Sequence, residues 1–198
     1  KPENVFLAFD EDGRPLPKLL DFGLVKQMGE SSSGHKTEDA RAELALFEEA
    51  TSRVPEDWWM FSNRVHDVLP IARLMLVGEL AYREGRYGDA WTALGDAIER
   101  EDALVYDEPP GWMIPVRHAM GALLLEQGDA ARAEALYRED QIDHPGNGWS
   151  LLGLAQALDA QGRPADASRI RARLDEAWAH VEVRPTSSCF CAPRADGG

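Results

Sequence analysis

The sequence predicts a mainly α-helical protein, in which helical hairpins stack into a solenoid behind a short N-terminal β-hairpin. Three observations lead to this fold class. Apolar residues recur with a helical period, a glycine returns at a fixed spacing, and 44% of the 198 residues are hydrophobic while 28% are charged. Such a composition is typical of a globular chain that buries a core.

The first element is the β-hairpin. Residues 4–9 and 16–20 are short apolar runs, and Asp12-Gly13 between them is a turn signal. Residues 27–37 are polar and small and show no period, so they predict a loop or linker.

The helices begin after this linker. A first helix is indicated by a stripe that Pro55 would end, formed by Ala40, Leu44, Phe47 and Thr51. Pro55 and Pro70 each suit the first turn of a new helix. The helix between them would carry the stripe Trp58, Phe61, Val65 and Val68. Residues 38–69 are therefore expected to form a helical pair.

A repeat governs the chain from residue 71 onward. Gly128 and Gly162 lie 34 residues apart, while Gly85 lies 43 residues before Gly128, which places a nine-residue insertion near residues 105–113. A small residue lies seven positions before each glycine and an alanine five positions after it: Gly78, Gly121 and Ala155, then Ala90, Ala133 and Ala167. Such a glycine ends a helix in a left-handed cap, and the small residues let two helices approach closely. Each hairpin then leaves a face that the next hairpin covers.

A helix–turn–helix period of 34 residues is that of the tetratricopeptide repeat. Residues 71–104, 114–147 and 148–181 resemble three such repeats inside a helical domain over 38–181. The second repeat matches the family pattern at Gly121, Leu124, Gly128, Ala133, Tyr137 and Pro145. Residues 38–191 as a whole are similar to the C-terminal part of a group of bacterial repeat proteins.

The resemblance implies a protein or peptide partner on a concave face lined by the first helix of each hairpin. The family's contact positions correspond here to Met75, Glu79, Tyr82, Arg83, His118, Leu125, Glu126, Trp149, Gln156 and Asp159. The apolar members of this set could equally pack between hairpins, and the acidic members could simply face water.

The opening 37 residues resemble a Ser/Thr protein kinase from its catalytic loop into its activation segment, through Lys1-Pro2-Glu3-Asn4 and Asp21-Phe22-Gly23. The resemblance implies that Lys1 contacts the transferred phosphate and that Asn4 and Asp21 bind Mg²⁺, with ATP and Mg²⁺ as cofactors of a complete kinase. The catalytic aspartate would lie two residues before Lys1, and no Gly-rich loop or Ala-Pro-Glu motif is present. The chain by itself is therefore expected to be an inactive fragment that needs no cofactor.

Three functions stay open at this point. The chain is expected first to be an interaction scaffold, the docking end of a polypeptide that joins a kinase to repeats. The alternatives are a fragment of an active Ser/Thr kinase, and a chimeric or mis-joined reading frame.

Charge and cysteine content narrow the partners and the compartment. The formal net charge of -14 disfavours nucleic acid and favours a basic peptide. No apolar run reaches the roughly 18 to 20 residues that span a bilayer, so no membrane contact is expected. The only cysteines, Cys189 and Cys191, are interpreted as reduced thiols of a cytoplasmic protein, in a flexible tail over residues 182–198.

Overall fold

The computed structural model describes residues 5–9, 15–19, 33–189 and 191. The chain divides into two compact units, Lys1–Met113 and Ile114–Gly198. Seven helices and four short strands make up the described ranges, so the predicted mainly α-helical fold of helical hairpins is confirmed. No helix among them is both long and apolar enough to cross a membrane.

The first unit begins with an antiparallel strand pair. Strand β1 (Val5–Phe9) pairs with β2 (Pro15–Leu19), so that Val5 lies opposite Leu19 and Phe9 lies opposite Pro15. The two strands lie within one residue of the apolar runs that predicted them.

Helix α1 spans Ser33–Thr51, and it therefore begins inside the segment that the sequence predicts as a linker. No proline interrupts residues 33–37, so the helical pattern that follows extends backward through them. The helix ends where Thr51 Oγ1 donates a hydrogen bond to the carbonyl of Phe47 at 2.8 Å.

The segment between Pro55 and Pro70 differs from its prediction. Instead of a helix carrying Trp58 and Phe61, it holds two short paired strands, β3 (Trp59–Met60) and β4 (Asn63–Arg64). Phe61 adopts a φ of 55°, a left-handed conformation that a helix excludes. Helix α2 (Val65–Arg83) then continues through Pro70, because its packing against α1 and α3 outweighs the backbone hydrogen bond that the proline lacks.

The first unit also fixes the predicted insertion. Asn63, only 4% exposed, donates from Nδ2 to the carbonyl of Val105 and to Asp107 Oδ2, both at 2.8 Å. Its Oδ1 accepts a hydrogen bond from the Val105 amide at 2.7 Å. Helix α3 spans Tyr87–Asp102, and the insertion follows it in the sequence. A single buried amide therefore holds the start of the insertion against β4.

The second unit consists of two hairpins, α4 (Val116–Glu126) with α5 (Ala130–Asp143) and α6 (Gly148–Ala160) with α7 (Pro164–Ala177). Both α4 and α5 pack against α6, which stacks one hairpin on the other. Gly128 and Gly162 follow the first helix of each hairpin at φ values of 81° and 71°, the left-handed conformation predicted for them.

Tyr137 occupies the centre of this unit. Its side chain is fully buried on α5, and its ring lies against Gly121 of α4 and Gly153 of α6. A Cβ atom at Gly121 would lie 2.5 Å from the ring, and one at Gly153 would collide with it as well. The two glycines therefore create the space that the tyrosine ring fills.

Candidate functional site

The predicted partner residues of the first unit all lie on α2. Met75 and Tyr82 are buried, at 8% and 4% exposure. The ring of Tyr82 packs against those of Tyr87 and Trp91 at centroid distances of 5.3 and 5.6 Å, and Arg83 lies 5.0 Å from it on the outside. Met75 and Tyr82 thus belong to the core, because their surface is already covered.

Glu79 and Arg83 are the remaining predicted residues of α2. Glu79 is half-buried and Arg83 is exposed. Desolvation of its carboxyl raises the pKa of Glu79 to about 7, and the charge of Arg83 acts in the opposite direction. Glu79 therefore changes its charge near neutral pH.

The predicted residues of α4 separate into one core residue and two surface residues. His118 is only 3% exposed, and its Nε2 lies 3.0 Å from Asp140 Oδ2 on α5. It joins the two helices and is not accessible to a partner. Leu125 is half-buried and Glu126 is exposed, so both side chains are accessible to a partner protein.

Asp140 forms a second buried contact beside the first. Its Oδ1 lies 3.0 Å from Nδ1 of His144, at the end of the same helix. Burial alone would raise the pKa of the Asp140 carboxyl, but hydrogen bonds from His118 and Ser150 and the charges of the two histidines lower it below its ordinary value. The group is a structural clamp that joins α4, α5 and α6.

The predicted residues of α6 are half-buried or exposed. Trp149 packs edge-on against Trp178 at 6.1 Å, within a cluster that also holds Leu151 and Leu174. Asp159 is exposed and forms an ion pair with Arg171 of α7. Gln156 is half-buried and donates from Nε2 to the carbonyl of Thr186 at 2.8 Å.

That contact involves a segment we call the C-terminal strap, residues 186–189 and 191, which contacts α6 through Thr186, α5 through Ser188, and α4 through Ser188 and Cys191. Ser188 is 3% exposed; its Oγ lies 2.6 Å from the Tyr137 hydroxyl and donates to the carbonyl of His118 at 3.0 Å. The sulfur of Cys191 contacts the Ala119 carbonyl at 3.9 Å. The sequence predicts residues 182–198 as a flexible tail, and within that range Thr186, Ser188 and Cys191 contact the helices through a carbonyl, a hydroxyl and a sulfur respectively.

The two cysteines of the strap also differ from their prediction as free thiols. Cys189 and Cys191 form a disulfide, with their Cα atoms 5.2 Å apart. One intervening residue is enough to bring two cysteines within the Cα separation that a disulfide requires.

Ser188, His118 and Asp140 are the residue types of a hydrolase triad, and they lie close together. The serine Oγ, however, donates to the backbone carbonyl of His118, while the imidazole Nε2 faces Asp140. A carbonyl cannot take the proton that a nucleophilic serine must lose. These contacts hold the strap in place and do not activate the hydroxyl.

The predicted kinase residues Lys1, Asn4 and Asp21 lie outside the described residues.

The sequence did not identify Ser188 or Gly153 as important. Tyr137 matched the repeat pattern, and the small residue Gly121 at the fixed position of that pattern was the signal for a close helix contact. No local pattern linked the Tyr137 hydroxyl to a serine 51 positions later.

Comparison with known proteins agrees with the geometry of the second unit. Residues 124–179 match the family model of the tetratricopeptide repeat, from the end of α4 to just beyond α7. Searches of curated proteins and of solved structures return no match. Tetratricopeptide repeats bind protein partners, so the match supports a protein–protein interaction scaffold in general terms.

Proposed function

We propose that this chain binds a peptide segment of another protein on the face formed by α4 and α6; the predicted residues of α2 are a separate candidate contact within the first unit. The observation that carries this proposal is the strap itself. An irregular chain segment is held on α4 and α6 through a backbone carbonyl and a side-chain hydroxyl. The helix groups that hold it, Gln156 and the His118 carbonyl, can bind a carbonyl and a hydroxyl of a partner segment in the same way.

The charge of the chain favours a basic partner. The net charge is -14, and the accessible members of the predicted face include Glu126 and Asp159. Rim charges of this kind mainly set the rate and selectivity of association.

A charge-reversal experiment tests this proposal. The triple variant Glu79→Lys, Glu126→Lys and Asp159→Lys is used as bait beside the wild-type chain, and captured proteins are quantified by mass spectrometry. We expect at least a tenfold loss of the basic proteins that the wild type retains. The matched control reverses Asp96, Glu99 and Asp143, which lie on the second helices α3 and α5. Equal loss in both variants, or in neither, contradicts the proposal.

The kinase context is proposed on sequence alone. Lys1, Asn4 and Asp21 would contact phosphate and Mg²⁺, and the β1–β2 pair lies between the two motifs that carry them. The docking end of a kinase–repeat polypeptide stands first, before a fragment of an active kinase and a mis-joined reading frame. Titration with ATP and Mg²⁺ separates the first two: saturable micromolar binding by this chain favours the active kinase, and its loss in Asp21→Ala assigns the site. The coding sequence upstream of Lys1 tests the mis-joined reading frame.

The cytoplasm is the proposed compartment, on the basis of the low cysteine content. The disulfide of Cys189 and Cys191 provides the test, because disulfides persist mainly in oxidising compartments. Thiol alkylation before lysis, followed by mass spectrometry, decides between the two: labelling of both cysteines supports the cytoplasm, whereas an intact disulfide contradicts it and supports an oxidising compartment.

A further inference from the structure

We propose that the C-terminal strap is a built-in competitor for the partner face, and that the partner it imitates inserts a small hydroxyl side chain between Tyr137 and the His118 carbonyl. The inference rests on the proposed function and deepens it, since it names the ligand chemistry of that face and the means by which the face is closed.

The hydroxyl position is defined by the direction of its hydrogen bonds. The His118 carbonyl only accepts, so Ser188 donates to it at 3.0 Å. The Ser188 oxygen then accepts a hydrogen bond from the Tyr137 hydroxyl, which lies 2.6 Å away. One serine or threonine hydroxyl satisfies both groups, whereas an alanine at this place would satisfy neither.

The socket for this hydroxyl is built by the helices and not by the strap. The Tyr137 ring is fixed between Gly121 and Gly153, and burial raises the pKa of its hydroxyl, which therefore stays protonated and able to donate. The His118 carbonyl is part of the backbone of α4, and Asp140 holds the His118 side chain in place. Both groups should keep their positions when the strap leaves, and they are then ready to receive another hydroxyl.

The second anchor recognises backbone rather than a side chain. Gln156 Nε2 donates to the Thr186 carbonyl at 2.8 Å, two residues before Ser188. Every peptide offers a carbonyl at that spacing, so specificity resides in the hydroxyl. The strap therefore presents a minimal ligand: a backbone carbonyl followed two residues later by serine or threonine.

The connection between α7 and the strap lies at the surface. Val181 and Val183 are exposed, at 42% and 83%, and Arg184 is held from outside by Asp175 and by the carbonyl of Trp178. A partner segment must replace the hydrogen bonds that Thr186 and Ser188 make with the helices. It must still overcome the effective concentration of a tethered competitor, which is about millimolar for a short linker.

The test uses the full chain and an acetylated, amidated, fluorescent peptide of residues 182–188. The peptide is titrated against the wild type, Ser188→Ala and the matched control Ser187→Ala, a neighbouring serine whose Oγ accepts a hydrogen bond from the Cys189 amide within the strap itself. We expect Ser188→Ala to bind the peptide at least tenfold more tightly than the wild type, and Ser187→Ala to resemble the wild type. A peptide with alanine at position 188 should bind Ser188→Ala at least tenfold more weakly than the native peptide.

Hydrogen exchange of residues 186–189 provides the second readout. It should quicken at least tenfold in Ser188→Ala and in Tyr137→Phe, which keeps the ring and removes the hydroxyl, so that the result does not depend on one variant folding. Unchanged exchange in both variants overturns the proposal. Equal peptide affinity of the wild type and Ser188→Ala, or no saturation of Ser188→Ala below about 1 mM, overturns it too.

Failure of this inference and failure of the proposed function give different results. If charge reversal abolishes capture while Ser188→Ala leaves capture and peptide binding unchanged, the partner face stands and the strap is not its competitor. If the peptide behaves as expected while charge reversal changes nothing, the strap socket stands and the partner face is wrong.

Discussion

Gly153 of α6 lies against the ring of Tyr137 of α5 so closely that any side chain at position 153 would overlap the ring. The contact joins the two hairpins of the second unit at its most buried aromatic residue. It explains why a glycine is found in the middle of a helix, where it otherwise disfavours helix formation.

We therefore expect Gly153→Ala to lower the free energy of unfolding of the second unit by about 2 kcal/mol, the usual scale of overpacking. Urea denaturation measures the change. Gly95→Ala is the control, because a Cβ there meets no atom within 4 Å and α3 should gain about 0.5–1 kcal/mol from the better helix former. Equal effects of the two substitutions would show that Tyr137 is free to move away.

The Asp140 clamp should make the second unit sensitive to acid. The pKa of Asp140 is lowered in the folded chain, so its stabilisation is present above the unfolded value of about 4 and is lost as pH falls through the lower folded value. Urea midpoints at pH 7, 5, 4 and 3 should decline most steeply below pH 4.

Asp140→Ala should remove about 3 kcal/mol at pH 7, because it leaves the buried His118 without its partner, and should flatten the acid dependence. Asp143→Ala, on the exposed side of the same helix, is the comparison. If both variants keep the steep decline of the wild type, the acid sensitivity has another origin.

Asn63 should control the order of the insertion. Asn63→Ala leaves the backbone groups of Val105 without their partners, and we expect it to lower the free energy of unfolding of the first unit by about 2 kcal/mol. Faster hydrogen exchange at residues 105–108 should accompany the loss. Glu99→Ala, exposed on α3, should change neither quantity.

Trp178 should dominate the contact between α6 and α7. It is 8% exposed and packs with Leu151, Leu174 and the ring of Trp149. Trp178→Ala should lower the free energy of unfolding by about 3–4 kcal/mol, the usual cost of truncating a buried tryptophan. Val183→Ala, 83% exposed, should fall within about 0.5 kcal/mol of the wild type.

The helical hairpins of the second unit could be predicted because their signals are local. Gly128 and Gly162 each end a helix through their own backbone freedom, and the spacing of 34 residues follows from two helices and their turns. Segment 55–64 could not be predicted in the same way. Asn63 is held by Val105, 42 residues away, and that contact stabilises paired strands where the local pattern indicated a helix.

The partner face shows the same limit. The sequence placed His118 and Tyr82 on the first helix of their hairpins, but only the structure shows that both are buried.

The sequence by itself determined the fold class, the repeat period and the left-handed glycines, because a helix period and a glycine cap depend on residues a few positions apart. Only the tertiary structure decided where the C-terminal strap binds on the helices. Ser188 looks like an ordinary tail residue until the hydroxyl of Tyr137 and the carbonyl of His118, 51 and 70 positions earlier, meet it in the folded chain. Hydrogen bonds between such distant groups depend on where packing places the helices, and no local pattern in the chain records that placement.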